Sequence, residues 1–90
     1  MVSEYLKNAF DIHIHAAPDI IPRSITAIQI AAKAKNIGMQ GIVIKNNYIP
    51  TADLASVVSE IIENIYVFGG VALNKSVGGI NPHIVEVTLK

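Results

Sequence analysis

Asp11-Ile12-His13-Ile14-His15 holds the residues best suited to chemistry in this chain. Two imidazoles and a carboxylate recur at every second position, with isoleucines between them. Side chains alternate faces on an extended strand, so the spacing predicts Asp11, His13 and His15 on one side and Ile12 and Ile14 on the other. Neutral imidazole is the commonest protein ligand for zinc and similar ions. Two imidazoles one residue apart on a single face, at a strand end, can converge on one ion. The alternative is a pair of polar residues hydrogen-bonded at a strand terminus. Asp11 would orient an imidazole, or pair with a lysine or a backbone amide.

Further candidates lie downstream. Lys45 closes an apolar run on the side where parallel barrels place their chemistry, and either binds a substrate anion or forms a structural ion pair. Arg23, between Pro22 and Ser24, either holds a carboxylate or phosphate bidentately or is an exposed loop residue. Gly78-Gly79 before Asn81-Pro82 would expose N–H groups at a helix start, or simply shape a turn. His83 reads as a surface or packing histidine. Tyr48 lines a pocket mouth or covers its loop.

These residues need elements to position them. Phe10 to His15 reads as a first strand, and the prolines at 18 and 22 make the following stretch a loop. A helix begins near Ser24 or Thr26, where Thr26 with Gln29 fits a capping box, and ends about Asn36 with Gly38 as terminator. Lys33 and Lys35 complement its dipole. Gly41-Ile42-Val43-Ile44 is all apolar, the pattern of a parallel strand covered on both faces. Thr51 is the expected cap of a second helix, with Asp53 in its first turn. Leu54, Val57, Val58, Ile61, Ile62 and Ile65 mark its apolar stripe. Tyr66 to Leu73 reads as a third strand, bulged or closely approached at Gly69-Gly70. Asn81-Pro82 starts a third helix, and the sequence ends at Lys90 about two turns later.

The order strand, helix, strand, helix, strand, helix predicts an α/β fold with right-handed crossovers and a parallel sheet. Composition agrees: 51% of residues are hydrophobic and only 16% charged, which suits elements buried on more than one side. Seven basic and seven acidic residues cancel, giving no support to nucleic-acid or membrane-surface binding. With five aromatic residues (three Tyr, two Phe), a base-stacking platform is not expected either. The absence of cysteine excludes disulfides and thiolate metal sites. Met1 to Lys7 lacks the apolar core of a signal peptide, and no apolar run approaches the ~20 residues that span a bilayer. A cytoplasmic protein is the default expectation.

Length sets a further expectation. Three strands and fewer than three full helices neither cover both faces of a parallel sheet nor close a barrel, and a (β/α)₈ barrel needs ~250 residues. Residues 1–90 therefore read as a single partial domain, the first three or so units of a truncated TIM-type barrel.

Asp11-x-His13-x-His15 at the end of a first strand resembles the metal-binding signature of the amidohydrolase superfamily. Ile44-Lys45-Asn46-Asn47, Tyr48-Ile49-Pro50-Thr51 and Gly69-Gly70-Val71-Ala72-Leu73-Asn74 through Val77-Gly78-Gly79-Ile80-Asn81-Pro82 look like an uncharacterised branch of it. The resemblance implies a metal-dependent hydrolase on a distorted TIM barrel. It matches His13 and His15 to two metal ligands and Asp11 to the acid that supports them. The remaining ligands of such enzymes come from later strands. The opening HxH strand is also similar to that of the PHP phosphoesterases. Those proteins carry an acidic residue and a histidine where this chain has Lys45-Asn46-Asn47, so a second metal bound in their manner is not expected.

Together these readings predict the N-terminal part of a metal-dependent hydrolase acting on a small molecule. The ion would be zinc in the first instance, with manganese, iron or nickel as alternatives. Two ligands leave zinc underfilled, so the 90-residue chain alone is expected to be inactive. The rival reading is a non-catalytic fragment or assembly module, whose uncovered sheet needs a partner chain or further copies of itself.

Overall fold

The structure is a computed structural model that describes residues 6–89. The first residues of the segment read as lacking a signal peptide, 1–5, lie outside the described range, as does Lys90. Strands β1 (Phe10–Ile14), β2 (Gly41–Ile44) and β3 (Tyr66–Phe68) form one parallel sheet in the order β1-β2-β3. Helices α1 (Ala27–Asn36), α2 (Ala52–Ile61) and α3 (Pro82–Thr88) follow the three strands in turn. The chain is an α/β layer, as the alternation of elements predicts.

Each helix is set by local chemistry. The Thr26 hydroxyl accepts from the Gln29 N–H at 3.1 Å while Gln29 Oε1 accepts from the Thr26 N–H at 2.9 Å. This reciprocal cap decides between Thr26 and Ser24 as the start of α1. Gly38, at φ +88°, turns the chain beyond its end. The Asn81 side chain accepts from the N–H groups of His83 and Ile84, and Pro82 fills the first position of α3. Thr51 behaves differently. Its hydroxyl makes no cap bond to α2 but donates to Ile44 O at 2.7 Å and accepts from Gly70 N–H at 2.9 Å. Thr51 is only 2% exposed, so these partners satisfy a hydroxyl that water does not reach.

The core lies between the sheet and the first two helices. Ala27, Ala31 and Ala34 of α1 and Ala55 and Val58 of α2 close over Ile42, Ile44 and Val67. Small alanines let the helices sit close to the strands, and the branched residues fill the remaining space. Ile62 and Ile65 pack against this core although α2 ends at Ile61, because Asn64 takes a left-handed conformation (φ 65°) that redirects the chain into β3. β3 is shorter than its apolar run. A side chain at Gly69 would lie 2.5 Å from the backbone of Thr51 and Ala52, and this close approach pulls the chain out of the ladder. α3 buries none of its residues.

Among the described residues, the opposite face of the sheet is left uncovered. Gly41 pairs in register with Phe10 on one side and Tyr66 on the other. A Cβ at Gly41 would collide with the Phe10 ring, so the glycine lets that ring lie across β2. Phe10, Tyr66 and Phe68 consequently stack, with ring centres 5.9–6.4 Å apart. All three remain exposed, and Ile12 is 74% exposed.

Candidate functional site at the ends of the first two strands

β1 does not keep a strict alternation. Asp11 pairs with Ile42 and Ile14 with Ile44, so three steps of β1 match two steps of β2. The extra residue is a bulge. Ile42 and Ile44 both face the helices, which puts Asp11 and Ile14 on the helix side, where both line a groove with Ile30 and Ile37. The expectation that Asp11 shares a face with the histidines does not hold. Its carboxylate accepts from the His13 backbone N–H at 3.0 Å, which steadies the irregular strand.

The two imidazoles do come together. His13 and His15 lie edge to face with ring centres 5.2 Å apart. His13 is exposed and His15 half-buried. The Lys45 N–H donates to Ile14 O at 2.7 Å, so Lys45 follows the Ile14–Ile44 pair on β2 as His15 follows it on β1. Both side chains therefore leave the sheet on the side away from the core.

Arg23 and Asp19 come from the loop after β1. That loop is pinched at its neck, where Ala17 N–H donates to Ile25 O and Ala27 N–H to Ala17 O, both at 2.8 Å. Within it Arg23 Nε donates to Asp19 Oδ2 at 3.0 Å, and the Asp19 side chain is 1% exposed. Arg23 is thus a paired, part-buried residue and not a free loop arginine. Lys45 makes no ion pair among the described residues; its Nζ donates to Asn47 Oδ1 at 3.0 Å. Asn46, 5% exposed, accepts from the N–H groups of Tyr48 and Ile49 at 2.8 and 3.1 Å, which fixes the loop that carries Lys45. Gly78 and Gly79 have left-handed φ values of 89° and 67°, so turn geometry accounts for them. His83 is exposed and Tyr48 half-buried.

Electrostatics favour a neutral His15. Burial, then the charges of Arg23 and Lys45, then His13, hold its pKa below the usual histidine value, and Asp19 opposes them only in part. Burial alone would raise Asp19. The Arg23 hydrogen bond, the neighbouring Ile21 and Ile20 N–H groups and the guanidinium charge outweigh it and keep the carboxyl below its ordinary value. Among the described residues, His15 Nδ1 and Asp19 Oδ1 are buried without a hydrogen-bond partner.

The donor set suits half of a zinc site. An ion 2.0–2.1 Å from one nitrogen of each imidazole, at a tetrahedral angle, sets the ring centres roughly 5 Å apart. The observed 5.2 Å meets that requirement, and a neutral, unpartnered His15 nitrogen has a lone pair to give. Among the described residues no group of three or more His, Asp or Glu side chains is disposed to hold an ion. A cavity of about 780 Å³ is elsewhere, at the N-terminal ends of the strands between Asn8, Gly38, Gln40 and Asn64. A smaller cleft of about 150 Å³ adjoins Lys45, with Ile12, Val43 and Val71 among its walls.

A family model described as a family of unknown function, DUF6282, matches residues 8–90. The chain belongs to that family. No curated protein and no solved structure matches it. The matched span of the DUF6282 chain begins just before β1 and so takes in the histidine pair, the Asp19–Arg23 loop and Lys45. Asp19, Asn46 and Thr51 are the site-building residues that sequence reasoning missed. An Asp four residues before an Arg in a proline-bounded loop was the available sign of the first.

Proposed function

We propose that this chain supplies the first-strand half of a divalent-metal site in a hydrolase of the amidohydrolase type. The observation that carries the reading is the 5.2 Å approach of His13 and His15 at the C-terminal end of a parallel strand. That is the end at which (β/α)₈ enzymes gather their chemistry, and on this reading the three-stranded layer is the opening part of such a barrel. His13 and His15 hold the ion, zinc before manganese, iron or nickel. Asp11 supports His13 through its backbone and not through the imidazole. When bound, the ion supplies Lewis acidity and lowers the pKa of its water. The chain's own residues position and select: neutral His15 donates a lone pair, while Lys45 and Arg23 flank it. The substrate is a small molecule, with no role for nucleic acid or membrane, and the setting is cytoplasmic. Among the described residues, no helix is long and apolar enough to cross a membrane.

Zinc titration of the metal-free protein tests this by calorimetry. Histidine-dependent binding, lost in both His13→Ala and His15→Ala, is expected. Binding that survives both substitutions, or no binding at all, removes the metal site from this chain.

A second reading is favoured by the open aromatic face: the layer is an assembly module whose sheet is covered by another chain or by copies of itself. Exposed Phe10, Ile12, Tyr66 and Phe68 on one surface form the sort of patch that marks an association site. The two readings coexist if a metal site is completed by what covers the sheet.

A further inference from the structure

We propose that two copies of this chain pair face to face around one shared zinc ion, each copy contributing His13 and His15. The proposal rests on the metal reading of that pair and names the partner that completes the site.

Two imidazoles fill half of a tetrahedral shell, and among the described residues no third His, Asp or Glu joins them. A second copy brings two more donors of the same kind. His13 is exposed, and His15 turns its Nδ1 inward, so Nε2 is the His15 nitrogen open to that copy. The uncovered sheet face on which the pair stands also carries Phe10, Ile12, Tyr66 and Phe68. A two-fold axis along β1 sets one histidine pair opposite the other, and Phe10 and Ile12 opposite their own copies. β2 and β3 lie to one side of β1, so the same axis sends the two Lys45 ammonium groups to opposite flanks. Packed sheets stand ~10 Å apart, which leaves an ion midway ~5 Å from each backbone, within reach of an imidazole.

Area decides what the ion adds. Phe10, Ile12, Tyr66 and Phe68 are 45–74% exposed, roughly 500 Å² on one copy at about 150–250 Å² for a whole aromatic side chain. Complete burial of both patches removes about 1,000 Å², short of the ~1,200 Å² at which stable interfaces begin. Hydrocarbon alone therefore gives a weak pair, and the shared ion supplies the difference. Four imidazoles leave no position for water, so in this pair the ion fastens the copies and performs no hydrolysis.

Sedimentation velocity and calorimetry of the metal-free 90-residue protein, titrated with zinc chloride, test this. One zinc per two chains is expected. The ion should lower the concentration of half-dimerisation by roughly tenfold or more, and a chelator should restore it. His13→Ala and His15→Ala should each abolish the zinc effect; His13 is exposed, so its loss leaves the fold intact. Ile12→Ser/Phe68→Ser should weaken zinc-bound pairing about tenfold with the histidines in place. One zinc per chain with no rise in mass overturns the shared site and leaves the metal reading standing. No zinc binding overturns both. Pairing that survives either histidine substitution, or that forms equally well without zinc, takes the ion out of the interface and overturns the proposal. Zinc-bound pairing unchanged by Ile12→Ser/Phe68→Ser, or assemblies larger than dimers, overturns the face-to-face arrangement.

Discussion

At the scale of single residues, the histidine pair was legible and its supporting cast was not. A period of two is enough to bring His13 and His15 together, because the segment beyond the bulge keeps its alternation. It is not enough to place Asp11. The extra residue that turns Asp11 toward α1 leaves no mark in a run of alternating polar and apolar positions. Likewise, the Asp19–Arg23 pair depends on how a proline-bounded loop closes, which is tertiary information. His15 then titrates in a defined direction. Its folded pKa lies below the 6.5 of the unfolded chain, so the unfolded state takes up a proton first as pH falls. Stability is full above pH 6.5, declines as pH drops through the interval between the two pKa values, and levels off below the folded one. Urea midpoints of the metal-free protein from pH 8 to pH 4 should show this decline. The difference between the protein and His15→Gln isolates it from the other histidines. Parallel pH profiles for the two proteins would place His15 in an ordinary solvated setting.

At the scale of elements, local signals succeeded wherever backbone chemistry is decided within four residues. The Thr26/Gln29 cap and the Asn81-Pro82 start are both present as read. Thr51 and β3 departed from expectation for one shared reason: the chain after β3 passes against the start of α2. Gly69 permits that passage, and the Thr51 hydroxyl is taken by it. The two tightly approached glycines should therefore answer differently to a methyl group. At Gly69 the obstacle is backbone, so Gly69→Ala should cost about 3 kcal/mol, the upper range for overpacking. At Gly41 the main obstacle is the Phe10 ring, which can swing away, so Gly41→Ala should cost about 1 kcal/mol, the worth of an aromatic contact. Equilibrium urea unfolding of both variants measures the difference. Equal costs would mean that the Phe10 ring is as fixed as the backbone.

At the scale of the whole molecule, the α/β alternation was readable because each strand and helix announces itself by its own period. Which sheet face stays bare was readable only in part. The all-apolar β2 signals cover on both sides, yet among the described residues only the helix side is covered. Hydrocarbon on the other side is expected to drive association. Sedimentation velocity should show the average mass of the 90-residue chain rising with concentration, and Ile12→Ser/Phe68→Ser should shift it back toward the monomer. Both positions are exposed, so the variant keeps its core. A concentration-independent monomer would argue that the bare face tolerates water.

The hydroxyl of Thr51 reaches the end of β2, through Ile44 O, and the segment leaving β3, through Gly70 N–H. Those are the roots of the loop that carries Lys45 and of the segment after β3, and Asn74 adds a tie of 2.8 Å to Asn47 O further out. The rim on that side is thus hinged as one plate. A displacement at the end of β2 would be felt at residue 70, and a single threonine is the pivot through which the pull passes.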